Sequence, residues 1–256
     1  MSWREIIVAT RMPKIVYIVV EILKGLDLKF ELCEPGDIGC NTAKVVITTK
    51  GESASIDESR LVLVEEDSDA VSISISIMLR YYGIIVPQEV IIGIDPGLRT
   101  GFAVIADGNV VFTTTLSSPI DVVDTSVLIA EMISSKFADS RFVIRVGAGS
   151  KLYCTLLLRG LSRKLSLDMI ELVDEHHTTF HGGYENDQSS AVLIGARRGQ
   201  SPFNTDLKIE SKPGYVRALQ HLFECISVNK NELSIEDARM ILTGEITLEE
   251  LLNREP

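Results

Sequence analysis

The alternation of apolar and polar residues predicts that strands and helices alternate along this chain. In its first third, four short apolar runs bounded by turn residues are typical of strands, and the apolar stretch after Pro13 predicts a helix that Gly25 can end. The predicted strands cover residues 5–10, 29–37, 43–50 and 60–66. Pro35-Gly36 and Gly39 supply turn chemistry between the second and third of them.

Residues 67–83 fit two patterns. Apolar residues at every second position from Val71 to Ile77 are typical of a strand. Ser68 or Asp69 can instead cap a helix and Gly83 can end it, so we predict a helix. The resulting order, strand, helix, three strands and helix, is similar to a small receiver-like or flavodoxin-like α/β domain.

Pro87 marks a predicted boundary, because a new strand pattern begins after it. Asp107-Gly108 favours a tight hairpin between the next two strands. The pattern then predicts the order β-β-β-α-β-α-β, followed by a helix over 187–199 and further helices with cap signatures at Ser234 and Thr247. We therefore predict an α/β protein with domains at 1–86 and 87–200 and a helical extension at 201–256.

Composition narrows the class of protein. The chain has 256 residues, 45% of them hydrophobic, which is enough for a proper core. No apolar run approaches the roughly 20 residues that a bilayer requires, and the first residues lack the apolar segment of a secretion signal. These features predict a cytoplasmic protein without a membrane partner. The net charge of -11 counts against a broad nucleic-acid-binding surface but allows a local one.

Four cysteines are scattered along the chain without a C-x-x-C pair: Cys33, Cys40, Cys154 and Cys225. Their spacing argues against a zinc ribbon and against a disulfide scaffold, and it fits a reducing compartment. We expect buried or inert thiols.

Acidic residues stand where predicted strands end or a helix begins. Asp95 ends the first strand after Pro87, Asp174 and Glu175 end the last strand, and Asp187 begins the next helix. Ligand sites of open α/β sheets gather at the carboxyl ends of strands, so these acids can converge. Crowded carboxylates favour a hard cation such as Mg²⁺ or Mn²⁺, and two such ions about 4 Å apart can hydrolyse a phosphodiester.

These motifs resemble the RNase H-like superfamily, in its Holliday-junction resolvase branch that includes RuvC and YqgF. The stretch GIDPGLRTGFAV (93–104) is similar to the strand and turn that open that fold, and VDEHHTT (173–179) and DQSSAVLIG (187–195) are similar to two later YqgF segments. The stretch FVIRVGAG (142–149) takes the place of the V-G-L-P strand end of YqgF. The resemblance covers roughly residues 90–199. It implies an RNase H-like mixed β-sheet flanked by helices, and a metal-dependent nuclease acting on structured DNA or RNA.

Carried over by motif, the resemblance implies that Asp95, Glu175 and Asp187 are the catalytic and metal-binding carboxylates, with Asp174 and Glu185 as reserve ligands for Mg²⁺ or Mn²⁺. Three features depart from the family. Arg145 stands where RuvC has an acid on its fourth strand, and His176-His177 replaces Arg-x in the YqgF segment. The link from Thr179 to Asp187 is also shorter than in the family and lacks room for an intervening helix.

Simpler roles remain open for the same residues. Asp95 can be a turn former, Glu175 a charged strand end and Asp187 a helix cap. The histidines His176, His177 and His181 fit no standard zinc spacing; they can orient water or phosphate, or be exposed loop residues.

Basic residues after the first motif are candidates to meet a nucleic-acid backbone, although a solvated helix face explains any one cluster equally simply. They are Arg99, Lys151, Arg159, Arg163, Lys164, Arg197 and Arg198. The sequence does not choose between DNA and RNA or between a monomer and a homodimer.

Two other classes of function stay open. The first is a catalytically silent RNase H-like module that binds nucleic acid or protein. The second is a relative of the actin-like phosphoryl-transfer ATPases, because DPGLRTG (95–101) also resembles their first phosphate loop. Those ATPases need a second such domain, and the sequence shows no second copy of the loop.

Overall fold

The chain divides between Gln88 and Glu89 into two structural units, and residues 137–140 group with the first of them. The architecture is seen in a computed structural model of the chain, which describes residues 5–37, 39–40, 43–53, 56–175, 187–205, 207–227 and 232–253. The protein is of the α/β class, as predicted: one unit has a parallel sheet and the other a mixed sheet, and helices flank both.

The first unit contains four short strands and two helices in the predicted order. They are β1 (Ile6–Val8), α1 (Pro13–Gly25), β2 (Phe30–Leu32), β3 (Val45–Thr48), β4 (Leu61–Leu63) and α2 (Ala70–Tyr81). The strands form a sheet in the order β2-β1-β3-β4, and every neighbouring pair is parallel. Alternate residues of β1 face opposite sides, so Ile6 packs with residues of α1 and α2 while Ile7 packs with Cys40 and Ala43.

The ambiguous segment is a helix, as predicted. The Asp69 side chain accepts a hydrogen bond from the Ser72 backbone N–H at 2.7 Å and caps α2. Ile73 and Ile77 lie one turn apart on the buried face. Gly83 follows with φ of +76°, which ends the helix in the left-handed conformation.

Cysteine use differs from the prediction in one respect. Cys33 and Cys40 form a disulfide, with their Cα atoms 6.0 Å apart. The expectation of four thiols was wrong because it relied on the absence of a C-x-x-C pair. The chain leaving β2 folds back over the sheet within seven residues and brings the two side chains together. Cys154 and Cys225 are free.

The second unit has the predicted order β-β-β-α-β-α-β followed by a helix. Its elements are β5 (Glu89–Asp95), β6 (Thr100–Ala106), β7 (Asn109–Leu116), α3 (Pro119–Lys136), β8 (Arg141–Gly147), α4 (Lys151–Lys164), β9 (Ile170–Val173) and α5 (Asp187–Ala196). Asp107 and Gly108 both have positive φ, so the β6–β7 hairpin turns as the Asp-Gly pair predicts.

The five strands form one mixed sheet in the order β7-β6-β5-β8-β9. The first three strands are antiparallel neighbours, whereas β8 and β9 run parallel to β5. Helix α5 packs on one face, against β5 and β6. Val90, Ile92 and Ile94 alternate to the other face and are buried there, on the side of the paired helices α3 and α4.

The C-terminal segment packs as part of the second unit. It forms α6 (Pro213–Ile226), α7 (Ile235–Thr243) and α8 (Leu248–Leu252), which share an apolar core with Leu152 and Leu156 of α4. Both predicted caps are present: Ser234 accepts from the Asp237 N–H, and Thr247 and Glu250 form a capping box.

The described helices are modest in length and carry charges. The apolar sequence of the 18-residue α3 is interrupted by the charged residues Asp121, Asp124 and Glu131. Within the part of the chain that the structure describes, no helix has both the length and the apolar character needed to cross a bilayer.

Candidate metal-binding site at the carboxyl end of the five-stranded sheet

Asp95 is the last residue of β5, at the edge of the sheet where the parallel strands end. Residues alternate across a strand, so Asp95 lies on the same face as Gly93. That face carries α5, because a Cβ atom at Gly93 would overlap the carbonyl oxygen of Ala191. The carboxylate therefore lies under the beginning of α5, half-buried.

Glycines let α5 approach the sheet at backbone contact distance. Gly101 pairs with Asp95 across the β5–β6 ladder, and a Cβ at Gly101 would overlap the carbonyl oxygen of Asp187. Gly195, two turns further along α5, lies against Ile105 and Gly93. The first residue of α5, Asp187, is thereby held beside the strand pair that ends in Asp95.

Glu175 extends toward this site from the far side of β8. It lies two residues beyond the end of β9, and β8 separates β9 from β5, so the backbones are about 10 Å apart. Gly147 at the end of β8 leaves this space open: a Cβ there would overlap Glu175 Oε1. The Gly149 N–H donates to the same oxygen at 2.8 Å and fixes the carboxylate over β8.

The negative charges of Glu175 and Asp187 act on Asp95. Burial is the largest cause that raises the pKa of Asp95, to about 6, and the negative charges of Glu175 and Asp187 raise it further. A hydrogen bond from the Ser190 side chain works in the opposite direction. Asp95 thus sits in a pocket of negative charge, where a cation would relieve the repulsion.

Sequence reasoning missed the supporting residues Ser190, Gly147 and Gly149. A signal for Ser190 was present, because it lies three residues after Asp187 and a helix places such residues on one side. The role of the two glycines depends on which strands are neighbours, and the sequence pattern does not specify that.

Two of the predicted basic residues lie at this edge of the sheet. Arg99, an exposed residue in the loop after Asp95, has its Nε 3.4 Å from Asp187 Oδ2. Lys151 is the first residue of α4, two residues after Gly149. Both side chains are exposed and can meet a ligand that approaches the carboxylates.

The other predicted basic residues lie toward the opposite edge. Arg163 and Lys164 end α4, about 20 Å along its axis from Lys151, and Lys164 pairs with Asp124 at 2.7 Å. Arg197 and Arg198 follow the end of α5, about 15 Å along its axis from Asp187. The predicted basic residues therefore do not form one patch around the carboxylates.

Arg159 has a structural role in place of the predicted nucleic-acid contact. Its guanidinium donates to the backbone carbonyls of Ile241 at 2.5 Å and Leu242 at 2.7 Å, and also to the carbonyl of Leu207. It satisfies the last carbonyls of α7 and anchors the C-terminal helices to α4.

Arg145, in the middle of β8, also has a structural role. It is almost fully buried and donates to Glu171 Oε2 at 2.9 Å and to the Gly195 carbonyl at 2.6 Å. The pair holds the end of α5 against β8, far along that helix from Asp187. Arg145 consequently supports the position of the candidate site and does not enter it.

Asp174 and Glu185 are the predicted reserve ligands. Asp174 is exposed one residue before Glu175. Glu185, His176, His177 and His181 lie outside the described residues. Among the side chains that the structure does describe, no three from His, Cys, Asp and Glu are close enough to form a ready-made metal cage. Glu175 and Asp187 act on Asp95 through their negative charges, and carboxylate oxygens are hard donors that suit Mg²⁺ or Mn²⁺.

Comparison with known proteins does not assign this arrangement. No protein-family model, curated protein or solved structure matches the chain. Function must accordingly be argued from the site itself.

The raised pKa of Asp95 predicts how Asp95→Asn changes stability with pH. The folded state holds the Asp95 proton more tightly than the unfolded state, so ionisation costs stability as pH rises from about 4 to about 6. Asparagine removes this cost. Solvent screens a half-buried group, so we expect the variant to be more stable by about 1–2 kcal/mol above pH 7, in metal-free buffer.

Urea unfolding followed by circular dichroism at a series of pH values measures this difference. The advantage of the variant should fade below pH 4, where Asp95 is protonated in both states. An advantage that is equal at all pH values would contradict the proposed electrostatic cause.

Proposed function

We propose that the second unit is an RNase H-like, metal-dependent nuclease that hydrolyses phosphodiester bonds in structured nucleic acid. The observation that carries the proposal is the effect of the negative charges of Glu175 and Asp187 on Asp95, which ends β5 at the carboxyl-terminal edge of the sheet. The element order β-β-β-α-β-α-β and the mixed sheet support the RNase H-like interpretation. The parallel order β2-β1-β3-β4 supports a flavodoxin-like or receiver-like first unit.

Asp95, Glu175 and Asp187 would hold one or two Mg²⁺ or Mn²⁺ ions. Such an ion, when bound, activates water and neutralises charge on the phosphate. The chain's own residues contribute position and charge. Ser190 and the Gly149 N–H orient two of the carboxylates, and Arg99 and Lys151 lie where the phosphates of a bound strand can meet them. Hydrolysis adds water across one P–O bond and leaves a phosphate and a hydroxyl.

The alternative of an actin-like ATPase has less support. That class needs two related domains, and the all-parallel first sheet does not repeat the mixed second sheet in the described part of the chain. The alternative of a silent binding module is separated from the nuclease by experiment.

The test is cleavage of a four-way junction, a flap and an RNA–DNA hybrid by the full chain, with Mn²⁺ and with EDTA. We expect Mn²⁺-dependent cleavage of at least one substrate, and loss of that cleavage in Asp95→Asn. Binding without cleavage by both proteins would favour the silent module. Transfer of phosphate from ATP that Asp95→Asn abolishes would favour the ATPase.

A further inference from the structure

A groove runs beside the candidate metal site, between the first turns of α4 and α6. It is an open groove of about 520 Å³, and the residues that line it are Ser150, Leu152, Tyr153, Lys212, Gly214, Tyr215 and Ala218. Ser150 directly follows Gly149, whose N–H holds Glu175. The groove therefore begins one residue from a contact of the carboxylate site.

The groove combines aromatic rings with positive charge. Tyr153 and Tyr215 are partly exposed there, and both also pack against the apolar core of the C-terminal helices, which restrains their rings. Lys212 is exposed beside Tyr215, with its Nζ 2.9 Å from Glu210, and Lys151 interacts with the same carboxylate. Each ammonium group has three N–H donors, so one bond to Glu210 leaves donors for a phosphate.

The N-termini of two helices add to the positive charge of the groove. Ser150 and Lys212 occupy the N-cap positions of α4 and α6, and neither side chain caps its helix. Both helices have 14 residues, so the positive ends of two full helix dipoles face the groove. This reinforces the attraction that the lysines exert on an anionic chain.

We propose that this groove binds single-stranded nucleic acid next to the metal site, with bases stacked on Tyr153 and Tyr215 and phosphates held by Lys212 and Lys151. The proposal rests on the proposed function and specifies its substrate as one that offers an unpaired strand. Alternating aromatic and cationic groups are how proteins hold single strands, because every base has a stacking face and every nucleotide a phosphate.

The test measures binding without cleavage, in EDTA. Fluorescence anisotropy compares a thymidine strand of about twelve nucleotides with an abasic strand of the same length. We expect the full chain to bind the thymidine strand about tenfold more tightly, since stacking is lost with the bases. Tyr215→Leu should reduce this preference to about twofold or less and leave the affinity for the abasic strand unchanged. Tyr215→Phe keeps the ring and should keep the preference.

Lys212→Ala tests the phosphate contacts in an exposed position that the fold does not need. It should weaken the binding of both strands and lower the slope of log affinity against log salt by about 0.7. Lys136, exposed at the end of α3, provides the matched control, and Lys136→Ala should leave affinity and slope unchanged.

The outcomes separate this proposal from the nuclease proposal. Base-dependent binding that Tyr215→Leu removes supports the groove even when no substrate is cleaved. Equal affinity for thymidine and abasic strands, or for a polyglutamate peptide, would overturn it, as would a Tyr215→Leu variant that keeps the base preference. If cleavage persists alongside any of those three results, the nuclease proposal stands and the groove proposal does not.

Discussion

Asp95→Asn should lower the rate of Mn²⁺-dependent phosphodiester cleavage about a thousandfold. Asparagine keeps the shape and the hydrogen bond from Ser190 but removes the charge at the centre of the carboxylate group. Loss of a bound ion removes several kcal/mol of transition-state stabilisation, and each 1.36 kcal/mol is a factor of about ten in rate. Initial rates on the best substrate of the panel, at saturating Mn²⁺, measure the effect.

Glu131→Gln is the matched control. Glu131 is an exposed acid on α3, which lies away from the α5 face of the sheet, and its change should alter the rate less than about twofold. The expected gain in stability of Asp95→Asn means that unfolding cannot account for its inactivity. A variant that cleaves within about tenfold of the unchanged protein would exclude Asp95 from the metal-binding role.

Gly101→Ala should destabilise the second unit by about 3 kcal/mol. The Cβ of alanine would overlap the carbonyl oxygen of Asp187. This oxygen belongs to the backbone, so it cannot move away by a rotamer change as the end of a side chain can. The helix must move off the sheet, which breaks the packing of Ala191 on β5 and β6 and displaces Asp187. Urea unfolding measures the stability, and the displaced Asp187 should also lower the cleavage rate.

Gly214→Ala supplies the comparison, because no atom lies within 4 Å of its Cβ position and its φ is not in the left-handed region. It stands in the first turn of α6, where alanine favours the helix, so stability should be unchanged or rise by up to about 1 kcal/mol. Similar losses for the two variants would show that helix α5 does not depend on close approach at Gly101.

The element order of the second unit was predictable because each strand is an apolar run bounded by turn residues. Asp107-Gly108 is the sharpest case, since both residues have the positive φ that such a pair permits. Residues 70–81 show how a cap decides between patterns: the isoleucines alternate, but Asp69 and Gly83 mark the two ends of a helix.

The lateral arrangement of the sheet was not predictable from these patterns. Asp95 and Gly101 are recognisable in the sequence, yet only the ladder between β5 and β6 places them opposite each other. The placement of β8 between β5 and β9 likewise makes Gly147 the residue over which Glu175 extends.

Side-chain contacts between segments that are separated along the chain were also not predictable from the sequence. Arg159 and Arg163 lie one turn apart in the same basic cluster, but the carbonyls to which Arg159 donates lie 48, 82 and 83 residues away in the sequence. The fold-back that joins Cys33 to Cys40 left no signal in the spacing of the cysteines.

Calorimetric titration of the metal-free chain with Mn²⁺, compared with Asp95→Asn, tests most directly whether the three carboxylates share a cation. We predict one or two ions per chain, at least tenfold weaker binding in the variant, and affinity that falls as pH drops through about 6, where Asp95 takes up its proton. Absence of Mn²⁺ binding, or equal binding by the two proteins, would contradict the account.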